Sequence, residues 1–431
     1  MRQELSARRL KAITMGSIAN LIEWFDWYIY AAFAIYFSAA FFPANDQTGQ
    51  LLRTAGIFAV GFLMRPIGAW LFGELAARIG RKKSMLLAVW LMSLGSLIIA
   101  ITPTYHSIGV MAPVILMFAR LMQGLSVGGE VGVSTTYLAE MATPESRGFY
   151  SSFQYATLIS GHIIALGMLI IMQRFLLTEE QLMEWGWRIP FAIGAFLTLA
   201  ILYIKNYLHE TRAYTAVKEK GEARENAVKL LLRHPRAIFK VIGLTAGSTL
   251  AFYTFTTYMQ KYLVNTLSIS KSDATLISFF SLLVFAISHP IFGALSDRVG
   301  RKPLLIAFGL TGTFGTIPLM RGVASAGSRW ELFILLTICL LIVSLYTSIA
   351  AIVKAELFPA EVRAIGVGLP HALTVATFGG TAEYVALWFK SIGHEEWYYY
   401  YVTITIFICL IMFVFMDDTM KSNRLDGEPH G

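Results

Sequence analysis

The chain has 431 residues, of which 56 % are hydrophobic and only 14 % are charged. Soluble proteins carry roughly 25 % charged residues, so a water-soluble fold of this length could not cover its surface with these charges. Disorder and nucleic-acid binding are excluded as main themes, because both require many more polar or basic residues. Lipid is therefore the expected solvent for most of the surface.

Twelve apolar stretches follow one another along the chain, each long enough for a helix that crosses a bilayer, which needs about 20 mostly apolar residues. The predicted helices cover residues 13–38, 54–76, 84–102, 112–138, 150–173, 187–206, 238–260, 274–295, 304–320, 331–352, 364–387 and 398–416. A charged segment divides them six and six. We therefore expect an all-α membrane protein with an N-terminal half (1–206), a cytoplasmic central loop (207–236), a C-terminal half (237–416) and a cytoplasmic tail (417–431).

The distribution of Lys and Arg residues predicts the orientation of these helices. Loops on the side of the N-terminus hold roughly three times as many basic residues as loops on the other side, with Lys354 assigned to the richer side and Lys261 to the poorer. Because basic loops remain in the cytoplasm, we expect a multi-pass protein of the cell (inner) membrane with both termini cytoplasmic. This placement explains the net charge of +8 without nucleic acid.

Two motifs recur at equivalent loops of the two halves. Residues 73–83 are GELAARIGRKK and residues 293–303 are GALSDRVGRKP, and Glu140…Arg147 has its counterpart in Glu356…Arg363. The simplest explanation is a pair of six-helix units with the same topology.

The repeated loop, the run RLMQG (120–124) and the six-plus-six layout resemble the major facilitator superfamily. The runs NLIEWFDWYIY (20–30), GFLMRPIGAWLFG (61–73) and WGWRIPF (185–191) are similar to its metabolite:proton symporters. The resemblance implies the major facilitator fold of twelve transmembrane helices, rocking alternating access and an inner gate. The gating residues that it implies are Arg78, Arg81, Glu140, Arg147, Asp297, Arg301, Glu356 and Arg363.

The first repeated loop departs from the family pattern at one position. Ala77 occupies the place where the family usually has aspartate, whereas the second loop retains Asp297. We expect the inner gate to be held more weakly on the side of the N-terminal half, with a tolerated surface change as the alternative.

Four ionisable residues lie at similar depth in the predicted helices: Glu23 and Asp26 in the first, Arg65 in the second and Arg120 in the fourth. A charge at this depth costs at least about 2.5–3.5 kcal/mol on insertion scales, so it indicates function by default. Guanidinium groups bind carboxylates in a bidentate manner, which makes the arginines candidate substrate ligands. The two carboxylates are candidate proton carriers, with Asp26 slightly favoured. A structural cluster that only orients helices is the alternative.

Further polar residues are candidates for the same site. Gln123 and Glu130 share one face of the fourth helix with Arg120; Gln123 is a candidate substrate ligand, and Glu130 is either a second proton carrier or a partner for a loop arginine. The C-terminal half contributes three more candidate substrate ligands: Tyr253, Thr257 and Tyr346.

Other residues within the predicted helices favour structural interpretations. Gly124, Gly128 and Gly132 have the spacing of close helix contacts. His162, His289 and His371 are more typical of hydrogen-bonded interior histidines than of a proton relay. Glu383 is either a gate in the C-terminal half or a solvated residue.

Together these patterns predict a proton-coupled symporter that imports a small dicarboxylate, with α-ketoglutarate first among the substrates that the resemblance implies. Citrate, shikimate, proline or betaine remain alternatives, as does a membrane sensor without transport. The sequence lacks a Walker loop, a dinucleotide fingerprint and an H-E-x-x-H motif, so we expect no cofactor, no metal and no enzymatic activity. Cys339 and Cys409 are expected to be buried thiols. The expected partners are the carboxylate, protons and the lipid bilayer, and the chain is expected to act as a monomer.

Overall fold

The computed structural model describes residues 2–43, 46–79, 81–128, 144–206, 231–359 and 362–420. Every regular element within these ranges is helical, and the long helices form twelve rods, α1 to α12 in chain order. Their bounds are Arg2–Phe41, Gln47–Ile79, Arg81–Ile101, Met111–Gly128, Arg147–Leu176, Arg188–Asn206, Pro235–Asn265, Lys271–Val299, Arg301–Ser325, Arg329–Glu356, 363–391 and Trp397–Phe415. Short helical turns at Tyr105–Ile108, Pro144–Ser146, Glu179–Gln181 and Leu182–Gly186 lie in the connections.

The prediction of twelve helices is confirmed, because each predicted stretch corresponds to one rod. Eight helices in the described part of the chain are long and apolar enough to cross a membrane. Their outward faces carry large apolar side chains such as Phe175, Phe314 and Phe415, each more than 70 % exposed. Apolar surface of this kind is typical of contact with lipid.

Three rods contain a π-helical turn, in which one extra residue widens the helix. These turns are Met172–Leu176 in α5, Thr254–Tyr258 in α7 and Val375–Gly379 in α11. Turns of this type often occur near functional sites. The turns of α7 and α11 lie next to the centre of the bundle, where the two halves meet.

Most of the contact between the halves in the described residues comes from α5, which packs along α8, and from α2, which packs against α11. The first pair is close because glycines face each other, and a Cβ atom added to Gly148 would lie 2.6 Å from the carbonyl oxygen of Gly293. Within the N-terminal half, Gly124 and Gly128 of α4 pack against the backbone carbonyls of Gly61 and Arg65 in α2. The prediction of close helix packing is confirmed for these two glycines, and this packing fixes the backbone of Arg65. Gly132, the third glycine of the predicted stripe, lies outside the described residues.

Candidate substrate and proton site

A cavity of about 70 Å³ lies between the two halves near the middle of the bundle. Since one water molecule needs roughly 10–15 Å³ by this measure, the cavity has room for several. Its wall combines aromatic and aliphatic side chains with a few polar ones from both halves, including Asn20, Glu23, Arg65, Gln154, Thr249, Tyr253 and His371. This combination is typical of a site for a small polar molecule.

Arg65 is the cation of the N-terminal half that lines this cavity. Its side chain is 4 % exposed, and its guanidinium carbon lies 3.8 Å from the ring centroid of Phe62 and 4.3 Å from that of Trp27. Nε and Nη2 are buried without a hydrogen-bond partner among the described residues. Aromatic rings hold this guanidinium group, and two of its nitrogens have hydrogens free to donate. It can therefore bind a carboxylate without first losing an ion pair.

Two other predicted site residues line the cavity with Arg65. Glu23, from α1, is half-buried. Tyr253, from α7, lines the same wall, and its ring centroid lies 5.1 Å from that of Phe62, the ring that Arg65 also contacts. The structure therefore brings together a carboxylate, a guanidinium group and a phenol around one space.

Asp26 and Arg120 occupy a sealed layer behind the cavity wall, and neither lines the cavity. Arg120 donates from Nη1 to Oε1 of Gln123 at 2.9 Å, and Gln123 donates from Nε2 to the Ser96 hydroxyl at 2.7 Å. The Ser96 hydroxyl in turn lies 2.6 Å from both carboxyl oxygens of Asp26. A chain of hydrogen bonds thus connects the arginine to the carboxyl group, and its members are buried.

The contacts of Ser96 suit a carboxyl group that changes its protonation state. A hydroxyl group has one hydrogen to donate, so it can serve only one of the two Asp26 oxygens. With a proton on the other oxygen, the second 2.6 Å contact also becomes a hydrogen bond. Gly194 of α6 faces the same carboxyl group, and a Cβ atom there would collide with an Asp26 oxygen.

The indole ring of Trp27 contacts both tiers of the site, that is, the cavity wall with Arg65 and the sealed layer with Arg120. The guanidinium carbon of Arg120 lies 4.0 Å from the Trp27 ring centroid, and that of Arg65 lies 4.3 Å from the same centroid. Cation–π contacts of desolvated groups contribute about 2 kcal/mol or more. The ring therefore separates two positive charges while attracting both.

Two predicted substrate ligands of the C-terminal half lie away from the cavity wall. Thr257 is buried and donates its hydroxyl to the carbonyl of Tyr253. Tyr346 packs against the rings of Phe308 and Phe413. Both side chains belong to the packing of the C-terminal half in this structure.

The structure corrects the assignment of two lysines to loops. Lys261 lies in α7 with an exposed fraction of 0 %, and its ammonium group forms an ion pair of 3.0 Å with Glu383 of α11. Lys354 lies buried in α10, 2.9 Å from Nδ1 of His371. Both helices extend beyond the apolar stretches that predict them. The hydropathy pattern therefore places each lysine in a loop, although it lies in the last turns of a helix. The solvated alternative for Glu383 is wrong as well.

The other two histidines have interior contacts. His289 is held between the carbonyl of Phe285 and the hydroxyl of Thr347, at 2.7 and 2.8 Å. His162 stacks on the ring of Tyr28.

Several predicted gating residues meet at the end of the bundle where α1 begins and α12 ends. Asp297 accepts hydrogen bonds from the backbone N–H groups of Gly148 and Phe149 at 2.8 and 2.9 Å, and its carboxylate pairs with Arg301 at 2.8 Å. Arg301 also approaches Glu356 at 3.6 Å. A carboxylate at the start of α5 is stabilised by the dipole of that helix. We call this set the α5–α8 latch.

Of the remaining predicted gating and proton-carrying residues, Arg147 and Arg363 have described side chains. Arg147 is buried near Glu356, and Arg363 donates from Nε to the carbonyl of Phe358. The side chains of Arg78, Ala77 and Arg81 are not among those described, and Glu130 and Glu140 lie outside the described residues.

Polar contacts also join the halves at the opposite end. The amide of Asn265 donates to the Thr48 hydroxyl at 3.2 Å, and Lys271 pairs with Glu179 at 2.8 Å. Contacts between the halves therefore flank the cavity on both sides.

A helical bundle of two halves around a polar central cavity defines the class of secondary membrane transporters. Residues 12–233 match the family described as Sugar (and other) transporter, and residues 241–430 match the Major Facilitator Superfamily. The chain belongs to the major facilitator superfamily, and it is a multi-pass membrane transporter rather than an enzyme.

Known proteins place the chain within this superfamily. It is 49 % identical to the alpha-ketoglutarate permease of Escherichia coli (strain K12) over 97 % of this chain and 96 % of the permease. It is 34 % identical to the citrate-proton symporter of Klebsiella pneumoniae over 86 % and 83 % of the two chains. It is 28 % identical to the proline/betaine transporter of Escherichia coli (strain K12) over 95 % and 83 %.

Solved structures share the fold. A crystal structure of a D-xylose-proton symporter superposes with a TM-score of 0.69 at 20 % identity, covering 94 % of this chain and 98 % of that one. A partially occluded inward-open form of the xylose transporter from E. coli gives a TM-score of 0.67 at 17 % identity, with the same coverage of both chains.

Proposed function

We propose that this protein is a symporter that imports α-ketoglutarate together with protons. The observation that carries the proposal is Arg65, a buried cation on the wall of the central cavity with two donor nitrogens unused among the described residues. A dicarboxylate supplies the acceptors that these nitrogens lack. The identity of 49 % to a permease named for α-ketoglutarate favours this substrate over citrate and proline or betaine, whose named transporters are less similar.

Within this proposal the two arginines have different tasks. Arg65 contacts the substrate, and Tyr253 adds a hydroxyl donor beside it. Arg120 is shielded from the cavity and acts through Gln123 and Ser96 on Asp26. It is therefore a positioning residue in the closed arrangement, and it reaches substrate only if the layer opens during transport.

The two carboxylates also have different tasks in proton transfer. Glu23 lines the cavity and meets substrate and water there. Asp26 holds its proton in the sealed layer, where Ser96 can pair with either protonation state. A carboxylate that loses the attraction of a neighbouring cation binds a proton more readily, so a dianion that engages Arg65 promotes protonation of Glu23 on the same cavity wall. Asp26 responds in this way only when the sealed layer opens and substrate reaches Arg120.

The membrane potential constrains the stoichiometry. Each elementary charge that crosses 100 mV contributes about 2.3 kcal/mol. A dianion that enters a negative interior with one proton moves against the potential, two protons make the movement neutral, and three allow the potential to assist. The net charge moved in uptake therefore reports the number of coupled protons.

We further propose that the protein acts as a monomer in the inner membrane with both termini in the cytoplasm, as the Lys and Arg distribution indicates. The α5–α8 latch then forms the cytoplasmic gate, and the contacts of Thr48 with Asn265 and of Lys271 with Glu179 lie at the periplasmic end. Labelling of single cysteines introduced at each end, in intact cells and in inverted vesicles, tests this orientation.

Uptake of labelled α-ketoglutarate into proteoliposomes, with and without an imposed pH gradient, tests the function. We expect gradient-driven accumulation in the unmodified protein and none in Arg65→Ala. Asp26→Asn should exchange substrate across the membrane but fail to concentrate it. If the unmodified protein does not take up α-ketoglutarate but transports citrate, shikimate or proline in the same vesicles, the proposed substrate is wrong and the transported compound takes its place.

A further inference from the structure

The C-terminal half places a buried lysine directly behind the cavity wall. Lys354 is 2 % exposed, and no carboxylate pairs with it among the described residues. Its ammonium group lies 2.9 Å from Nδ1 of His371 and 5.8 Å from the ring centroid of Tyr346. Buried charges are normally paired, because an isolated one costs several kcal/mol. In the described part of the chain, the Lys354 ammonium group has a histidine and an aromatic ring beside it but no carboxylate.

The contact with Lys354 determines which tautomer His371 adopts. An ammonium group has only hydrogens to donate, so with Lys354 charged, Nδ1 of His371 accepts. A neutral imidazole that accepts at Nδ1 carries its hydrogen on Nε2. Because His371 is half-buried and lines the cavity, Nε2–H is a donor at the cavity wall that is strengthened by the positive charge behind it.

Arg65 and His371 belong to different halves of the protein but line one cavity. Arg65 comes from α2 and His371 from α11, and the two groups lie within electrostatic range of each other. Each is a hydrogen-bond donor, and each is associated with one positive charge. Two donors of this kind in one cavity match the two carboxylates of a dianion.

We propose that His371, backed by Lys354, binds the second carboxylate of the substrate, while Arg65 binds the first. His371 is the binding residue and Lys354 a positioning residue that fixes its tautomer. The inference rests on the proposed function and adds the reason for selectivity: a monocarboxylate or a zwitterion leaves Lys354 without its counter-charge. A dianion held from both sides also links the two halves, so its binding favours their closure.

A pair of ligands that differ only at the distal end tests this inference. 2-Oxopentanoate has a methyl group where α-ketoglutarate has its distal carboxylate. We expect Lys354→Gln to raise the KM for α-ketoglutarate about 10-fold or more, the effect of losing one charge-assisted hydrogen bond. Inhibition of uptake by 2-oxopentanoate should stay unchanged. Lys354→Arg should retain most of the affinity, and Lys240→Gln, at the predicted cytoplasmic end of α7, is the matched control.

Each outcome of this comparison has a definite meaning. A ligand-specific loss in Lys354→Gln supports the second subsite, whereas equal changes for both ligands, or none, overturn it. If Lys354→Gln does not reach the membrane, His371→Leu and His371→Gln decide: the first should lose α-ketoglutarate selectively, and the second, which keeps an amide donor, should lose less. Absence of α-ketoglutarate uptake in the unmodified protein would instead refute the proposed function itself.

Discussion

Removal of one partner from the Lys261–Glu383 ion pair should destabilise the C-terminal half more than removal of both. The ammonium and carboxylate groups are 3.0 Å apart, and their side chains are 0 % and 5 % exposed. At an effective dielectric constant near 20 this distance corresponds to about 5.5 kcal/mol of attraction, which offsets the cost of dehydrating the two charges. A single substitution leaves one buried charge and is expected to cost about 3–5 kcal/mol.

The assay is thermal unfolding of detergent-solubilised variants. Lys261→Met and Glu383→Met should each melt well below the unmodified protein, and the double variant should melt above both singles, because two apolar side chains of similar length can pack together. The pair Lys271–Glu179, at 2.8 Å, provides the matched control, because its side chains are 15 % and 65 % exposed and water reaches the carboxylate. Its disruption should cost less than about 1 kcal/mol.

The reasoning fails if the double variant melts at or below the lower of the two singles. That result would mean that the two charges contribute independently, so that the short contact does not couple them. Single variants that melt like the unmodified protein would show that water reaches these groups.

Three further predictions concern the packing of the site and the gate. Gly194→Ala should displace the Asp26 carboxyl group, because the added methyl group collides with its oxygen, and uptake should lose its dependence on the pH gradient while the protein still reaches the membrane. Asp297→Asn should loosen the α5–α8 latch by more than the roughly 0.3–2 kcal/mol of an anion at a helix N-terminus, because it also removes the 2.8 Å ion pair with the buried Arg301. The expected readout is faster labelling of cysteines introduced at that end of the bundle; unchanged labelling would argue against a gating role. Ala77→Asp should slow transport by strengthening the inner gate on the side of the N-terminal half. An unchanged transport rate would contradict the expectation that Ala77 weakens this gate.

The number and order of the helices could be predicted from the sequence because the apolar stretches have the length that a bilayer requires. The depth of Arg65 followed from the same argument, and the structure places its side chain at the cavity. The ends of the helices were harder to predict. Lys261 and Lys354 follow or end an apolar stretch, and a hydropathy pattern cannot show that a charge there is buried against a partner more than a hundred residues away or against a histidine in the next helix.

The division of the four deep charges into two tiers could not be predicted either. Glu23 and Asp26 are three residues apart on one helix, yet the first lines the cavity and the second is sealed behind it. The difference arises from side chains on two other helices, Ser96 of α3 and Gln123 of α4, and from the indole of Trp27 on α1. Depth along a helix axis follows from counting residues, whereas the facing neighbour depends on tertiary packing.

The π-helical turns of α7 and α11 make the ion pair between these two helices sensitive to how the helices are wound. Thr254–Tyr258 precedes Lys261, and Val375–Gly379 precedes Glu383. Restoring ordinary winding in either turn without removing its extra residue would swing everything beyond the turn by roughly 100°, the rotation of one residue. The ammonium and carboxylate groups would then point in different directions. A substitution that abolishes one of these wide turns is therefore equivalent to a mutation of the ion pair, even though it leaves both charged residues in the sequence.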